Sequence, residues 1–365
     1  MKRFKKTVAV LLFGGMVFAA NDNVGTSVVN FLKIGVGARA EAMGGAFTAQ
    51  ANDASALYWN PAGLVALSRP QIMFHRSDWI ADIRHVFLGV AWPVSSRFGS
   101  LGLSVISLTM DDLEETTEIQ PDGTGRKFPA GNFQFGMAYA RQVSDRFGVG
   151  IHGKFVQETI SFSQARAFAI DVGTRYITNF LGFKLGMAIT NFGSEMTMRG
   201  TDLIYKRTDV YPDVGSNPTI NALLETKSWP LPTAIRIGVA WEPVGPAGAF
   251  QTRDISVVMA ADYFDPRDFR PYYNLGLEAA LMNTLFLRAG LVNRFAANLN
   301  YNTSEGVMDL VDPTGFLGDY EQLLTFGIGV EFDIPFTGTR AAADYAYSSM
   351  TFFPAVERLT ISLKF

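Results

Sequence analysis

The 365 residues are 48% hydrophobic, 13% aromatic and only 18% charged, with 35 Gly, 30 Phe and no Cys. That balance excludes a disordered chain, which needs high charge and few aromatics, and it excludes disulfide scaffolds and thiolate metal centres. A net charge of −3, with no basic block after Lys6, excludes a nucleic-acid footprint.

Lys2, Arg3, Lys5 and Lys6 precede an apolar run from Thr7 to Phe18 that ends on Ala19-Ala20. A charged start, a short apolar stretch and small residues predict a secretory signal peptide over 1–20, cleaved after Ala19 or Ala20. The run is shorter than the roughly 20 residues that a helix needs to span a bilayer. Cleavage removes four positive charges and leaves a more acidic mature chain.

Residues 21–68 lack strand alternation and are rich in Ala and Gly. Asp53 is placed to cap a helix running through Leu57, and Asn60-Pro61 reads as an N-cap followed by proline at the first helical position. Gly44-Gly45 allows positive φ or close backbone approach. A compact, small-residue segment ahead of a barrel is a candidate lumen plug.

From residue 69 the period is two. Phe133, Phe135, Met137 and Tyr139 alternate with Gln134, Gly136, Ala138 and Ala140. The pattern repeats with Phe183, Leu185, Met187 and Ile189, with Ile235, Ile237, Val239 and Trp241, and with Leu275, Leu277, Ala279 and Leu281. Alternation places one set on each face of a strand. One face is large and apolar; the other is small, glycine-rich or charged, as at Arg236, Gly238, Gly276 and Glu278. A soluble sandwich would bury the large face, whereas a membrane barrel turns it to lipid. Strand length, small lumen residues and aromatics near strand ends (Trp92, Phe133, Tyr139, Tyr176, Trp241, Tyr263, Tyr273) favour the barrel.

Fourteen strands are expected, at 70–77, 83–94, 99–110, 131–143, 148–159, 164–176, 182–192, 233–242, 253–264, 271–281, 284–294, 322–333, 341–352 and 356–365. The fold class is thus all-β, a transmembrane antiparallel barrel over 69–365 with a small N-terminal plug containing short helices. The long connections 111–130, 193–232 and 295–321 all follow odd strands, so they lie on one side. Loop 193–232 carries Tyr205, Tyr211, Leu223, Leu224 and Trp229, a candidate partner-binding surface. In the last strand Leu359, Ile361, Leu363 and Phe365 alternate with polar residues.

Chemical sites are sparse. Gly148 to Gly153 matches G-x-G-x-x-G but opens an alternating strand, not a strand-to-helix turn, so no nucleotide site is expected. His75, His85 and His152 are scattered. His152 faces the lumen beside Asp171, without a visible serine partner. The acidic runs Asp111 to Glu115 and Asp309 to Asp319 do not have calcium-loop spacing. No enzyme, cofactor or metal centre is expected.

Gly37-x-Arg39-x-x-x-Met43-Gly44-Gly45-Ala46, Asp53-Ala54 and Trp59-Asn60-Pro61-Ala62-Gly63-Leu64 resemble the N-terminal hatch signature of the FadL-like superfamily, nearest to its PorV/PorQ branch. The resemblance implies an outer-membrane barrel with an internal hatch, and the strand count agrees with it. For PorV it implies a part in type IX secretion, receiving substrates from the translocon and passing them to surface attachment. For FadL it implies uptake of hydrophobic molecules through a lateral opening. The final strand resembles the signal read by the barrel assembly machinery. The expected surroundings are outer-membrane lipid, that machinery, and type IX substrates and translocon; the expected function is the PorV/PorQ one, with FadL-type uptake as the alternative.

Overall fold

The computed structural model describes residues 25–95, 97–207, 220–246, 248–295, 299–302, 307–310, 320–350 and 353–365. The expected signal peptide, Tyr211 and most of the Asp309 to Asp319 run lie outside them. Fourteen long strands form the wall: β1 (Gln71–Asp78), β2 (Arg84–Ser95), β3 (Gly99–Thr109), β4 (Ala130–Ser144), β5 (Phe147–Ile160), β6 (Ser163–Ile177), β7 (Lys184–Gly193), β8 (Ala234–Val244), β9 (Ile255–Pro266), β10 (Tyr272–Leu281), β11 (Leu285–Phe295), β12 (Tyr320–Asp333), β13 (Arg340–Ser348) and β14 (Val356–Lys364). Each pairs antiparallel with its chain neighbours, and β14 pairs back onto β1, from Gln71 opposite Lys364 to Asp78 opposite Glu357. The sheet is a closed barrel, so no strand is left with an unpaired edge. No described helix is long and apolar enough to cross a membrane.

Burial alternates along the strands as the period of two requires. On β6, Ala165, Ala167, Ala169 and Asp171 are buried inward while Phe168, Ile170 and Val172 stand exposed outward. The exposed large residues are the apolar set, an inside-out arrangement that makes sense only against lipid. Strand ends shift where turn chemistry intervenes. Expected strand 182–192 starts at Lys184, because Leu181 and Gly182 take positive φ in the preceding turn. Expected strand 341–352 stops at Ser348, and Ser349 instead exchanges hydrogen bonds with Leu324.

The core lies inside the barrel. Val36, Ala40, Met43, Phe47, Ala54, Leu57 and Leu64 are fully buried, with Phe87, Ala140 and Val156 of the wall around them. The wall meets this segment with glycine. A Cβ on Gly150 would sit 2.4 Å from Ala62 N, one on Gly186 2.5 Å from Thr48 O, and one on Gly290 2.1 Å from Gly44 N. The two glycines of Gly148-x-Gly150 therefore line a packing surface, which is the physical content of that motif here.

Candidate functional site

The segment inside the barrel is short pieces joined by tight turns. Asn30–Lys33 is one 3₁₀ turn, α1 is Ala38–Ala42, α2 is Ala56–Trp59, and Pro61–Ala66 is a second 3₁₀ turn. Asn60 is the N-cap of the last, its Oδ1 accepting from Ala62 N at 3.1 Å, while its Nδ2 donates to Thr48 O and to Thr174 O of the wall. Asp53 is not the helix cap. Ser55 holds the cap position of α2, and Asp53 Oδ1 accepts from Ser55 N and Oγ in a tight turn, freeing Oδ2 to face Arg39. Gly44 and Gly45 have φ of 66° and 73°. A side chain on Gly44 would enter the backbone of Leu291, and one on Gly45 would meet the Trp59 ring.

Helix α1 is a partition with a charge on each side. Arg39 lies between Asp53 (Nη1 to Oδ2, 3.1 Å) and Glu278 of β10 (Nη2 to Oε1, 2.7 Å; Nε to Oε2, 2.8 Å). Glu278 also takes Arg288 Nε at 2.7 Å, and Arg288 Nη1 reaches Asp344 Oδ1 at 2.7 Å. Burial opposes the charge on Arg39, but Glu278 and then Asp53 outweigh it and hold the guanidinium above its ordinary range. On the other side, Glu41 takes Arg358 Nη2 at 2.9 Å. Backbone groups are matched as well: Thr360 Oγ1 accepts from Ala38 N at 2.8 Å, and Asp262 Oδ2 accepts from Phe47 N and Thr48 N at 3.0 and 2.8 Å.

Two cavities flank the partition. The larger, about 730 Å³, lies at the end where the long connections emerge; Trp59, Phe264, Tyr272, Trp79, Arg236 and Arg358 help to line it, together with Glu41. The smaller, about 270 Å³, lies at the short-turn end and is lined by Arg39, Asp53, Arg288, Asp344, Glu331 and Lys364. On the large-cavity side, Arg236 stacks over Phe264 at 4.0 Å and Trp59 at 4.8 Å, and its Nε has no hydrogen-bond partner among the described residues. The rings stabilise the cation through their quadrupoles. Burial pushes the nearby Tyr58 hydroxyl above its ordinary range, and that hydroxyl donates to Leu32 O.

Ser104 completes the His152–Asp171 pair. Its Oγ lies 3.0 Å from His152 Nε2, and His152 Nδ1 lies 3.4 Å from Asp171 Oδ2. Lys154 Nζ is 2.7 Å from Asp171 Oδ1. The free space beside Ser104 is about 10 Å³ and is shut by Leu32, Leu57 and Tyr58. The three side chains form a buried polar cluster. His75 and His85, far apart in sequence position from His152, have ring centres 6.1 Å apart; no group of three or more His, Cys, Asp or Glu able to hold a metal occurs among the described residues.

The candidate loop residues are separate from this site. Tyr205 and Leu223 lie on a short hairpin, Ile204–Arg207 with Ile220–Leu223, and are exposed with Leu224. Trp229 is tied back by paired backbone bonds to Met196. At the chain end Leu359 and Ile361 face outward, Leu363 is half-buried, and exposed Phe365 donates its N–H to Pro70 O. Within the hatch motif, Gly37 has a positive φ of 89°, and a Cβ on Gly63 would sit 2.4 Å from Ala51 O. Met43 is fully buried against Gly276, and Pro61 packs on Gly150. Sequence reading missed Glu278, Arg288, Asp344, Asp262 and Arg358 as partners of the plug. Their signal was present, as isolated charges on an otherwise small-residue strand face.

Residues 18–118 match a family described as "Uncharacterised protein family (UPF0164)". Comparison with curated proteins gives no match. Among solved structures, the toluene transporter TodX of Pseudomonas putida superposes with a TM-score of 0.52 at 13% identity, over 90% of this chain and 97% of that one. A FadL homologue of Pseudomonas aeruginosa gives a TM-score of 0.45 at 12% identity, over 90% of this chain and 96% of that one. With its closed fourteen-strand wall, the chain shares the barrel fold of TodX.

Proposed function

We propose that the protein lies in an outer membrane with the long connections outward, and that it admits small apolar molecules into the larger cavity. The division into signal peptide (1–20), plug (21–68) and barrel (69–365) belongs to the same reading. The observation that carries it is the about 730 Å³ cavity floored by Trp59 and Phe264, a volume within the usual range of small-molecule sites. The toluene transporter named above supports this reading through its shared fold. The α1 partition separates the two cavities, so passage requires the plug to move or the molecule to leave through the wall. Binding and passage, not catalysis, are the proposed work.

The test uses the purified barrel in lipid nanodiscs titrated with naphthalene, read by tryptophan fluorescence. Saturable binding is expected, and Val292→Trp, which fills the cavity from β11, weakens it about tenfold or more, since a blocked apolar site loses more than 1.4 kcal/mol. Equal binding by the filled variant, or none by either protein, overturns the proposal.

A second reading rests on a different observation. The hairpin that exposes Ile204, Tyr205, Leu223 and Leu224 presents apolar surface away from the cavity, which suits contact with another protein. This supports a PorV/PorQ-type role in type IX secretion and surface attachment, with exported substrates and the translocon as partners. In either reading the barrel assembly machinery takes Leu359, Ile361, Leu363 and Phe365 as its signal.

A further inference from the structure

The short-turn rim carries apolar side chains where turns that face water favour polar ones. Phe98, Phe180, Phe250, Met282 and Phe336 are exposed on the turns after β2, β6, β8, β10 and β12, and Phe336 is fully so, at 109%. Only the turn after β4, Asp145-Arg146, is polar throughout. Three of these turns hold a bulky residue in the left-handed region: Leu181 at φ 50°, Met282 at 52° and Phe336 at 66°. Glycine or asparagine takes that conformation readily, whereas larger side chains do so against steric resistance. At Ile334 to Thr337, Pro335 stands second and Phe336 third, the position that a type II turn reserves for glycine. The apolar tips are therefore kept against local preference.

The tips are also continuous with the lipid-facing wall. Phe180 stacks on Phe183 (ring centres 6.2 Å, planes 8° apart), and Phe183 stacks on Trp241 of β8 (5.3 Å, 9°). Trp241 shares an outward apolar groove with Met259, Leu277 and Phe326. Phe332 is exposed on β12, four residues before Phe336.

We propose that this rim is a lipid-contact surface, its tips seated at the boundary between headgroups and acyl chains of the nearer leaflet, not beyond it in water. This rests on the outer-membrane placement proposed above. The smaller cavity lies at the same rim, lined by Asn283, Arg340 and Lys364, and the Asn283 carbonyl accepts from Arg340 Nη2 at 2.6 Å.

The chain has no Cys, so each single-cysteine variant carries one label. Phe336→Cys, Met282→Cys, Asp145→Cys and, as a mid-wall reference, Leu277→Cys are spin-labelled and placed in phosphatidylethanolamine–phosphatidylglycerol nanodiscs. Collision with oxygen, which enters lipid, is compared with collision with a water-soluble nickel chelate. The oxygen-to-nickel ratio at 336 and 282 is expected to exceed that at 145 by about twofold or more, approaching that at 277. Ratios at 336 and 282 equal to that at 145, with 277 still in lipid, overturn the rim proposal and leave the membrane placement standing. A label at 277 that meets water overturns the placement itself. Tips shielded from both probes are covered by protein, which also overturns a lipid contact.

Discussion

The buried charges are where single residues matter most. Asp53, Arg39, Glu278, Arg288 and Asp344 form one chain of alternating sign, and Arg39 bridges 239 positions of sequence to reach Glu278. Removing the central carboxylate leaves two largely buried guanidinium groups short of their partner. Glu278→Gln is expected to destabilise the folded barrel by about 3–5 kcal/mol, the usual effect of breaking a buried pair from one side. Urea-dependent loss of heat-modifiable gel mobility measures it, and an unchanged midpoint shows that the network is not structural. Arg39 and Asp53 were legible in the sequence because they sit in a motif. Their wall partners were legible only as lone charges on a glycine-rich face. Nothing local ties position 39 to position 278, because the seating of the plug is decided by three-dimensional fit.

At the scale of elements, strand and plug meet through missing side chains. The inward glycines of the wall touch the plug backbone, with Gly290 against Gly44 N and Gly276 against Met43 O. Gly290→Val is expected to push the plug from the wall, since close-packed interiors do not absorb a misplaced branched side chain. Gly153→Val is the control, because a Cβ at Gly153 meets nothing within 4 Å and Gly153 faces outward. Conductance across a planar bilayer checks this: current rises for Gly290→Val and stays at the parent level for Gly153→Val. Equal conductance of the two variants refutes the wedge role of the glycines. The strands themselves were readable from their period of two. Their ends were less so, because Leu181 and Ser349 leave the ladder for turn geometry that residue type alone does not announce. The Asp53 side chain likewise serves a tight turn and an ion pair instead of the helix cap that its position suggested.

For the whole molecule, the strand count and the outward apolar face were enough to give architecture, and the last strand does close on the first. Which cargo or partner the barrel serves was not legible, because the cavity lining comes from many distant strands, none with a contiguous motif. The secretion reading makes its own prediction at this scale. In a strain lacking the gene, proteins with type IX-type C-terminal signals accumulate in the periplasm or lose surface attachment, as seen in the surface and extracellular proteome. An unchanged secreted proteome removes that reading and leaves uptake of apolar molecules.

The seam between β1 and β14 carries a consequence for the order of assembly. The plug immediately precedes β1 in the chain, and Phe365 at the other end donates its N–H to Pro70, the last residue before that strand. Leu57, Met43 and Phe47 are wholly enclosed and contact strands from both halves of the sheet. Once the wall is closed it has no lateral edge, and the ends of the cylinder are the remaining way in. If the plug seats while the cylinder is still an open sheet, zipping the first strand to the last is also the act that shuts the lumen.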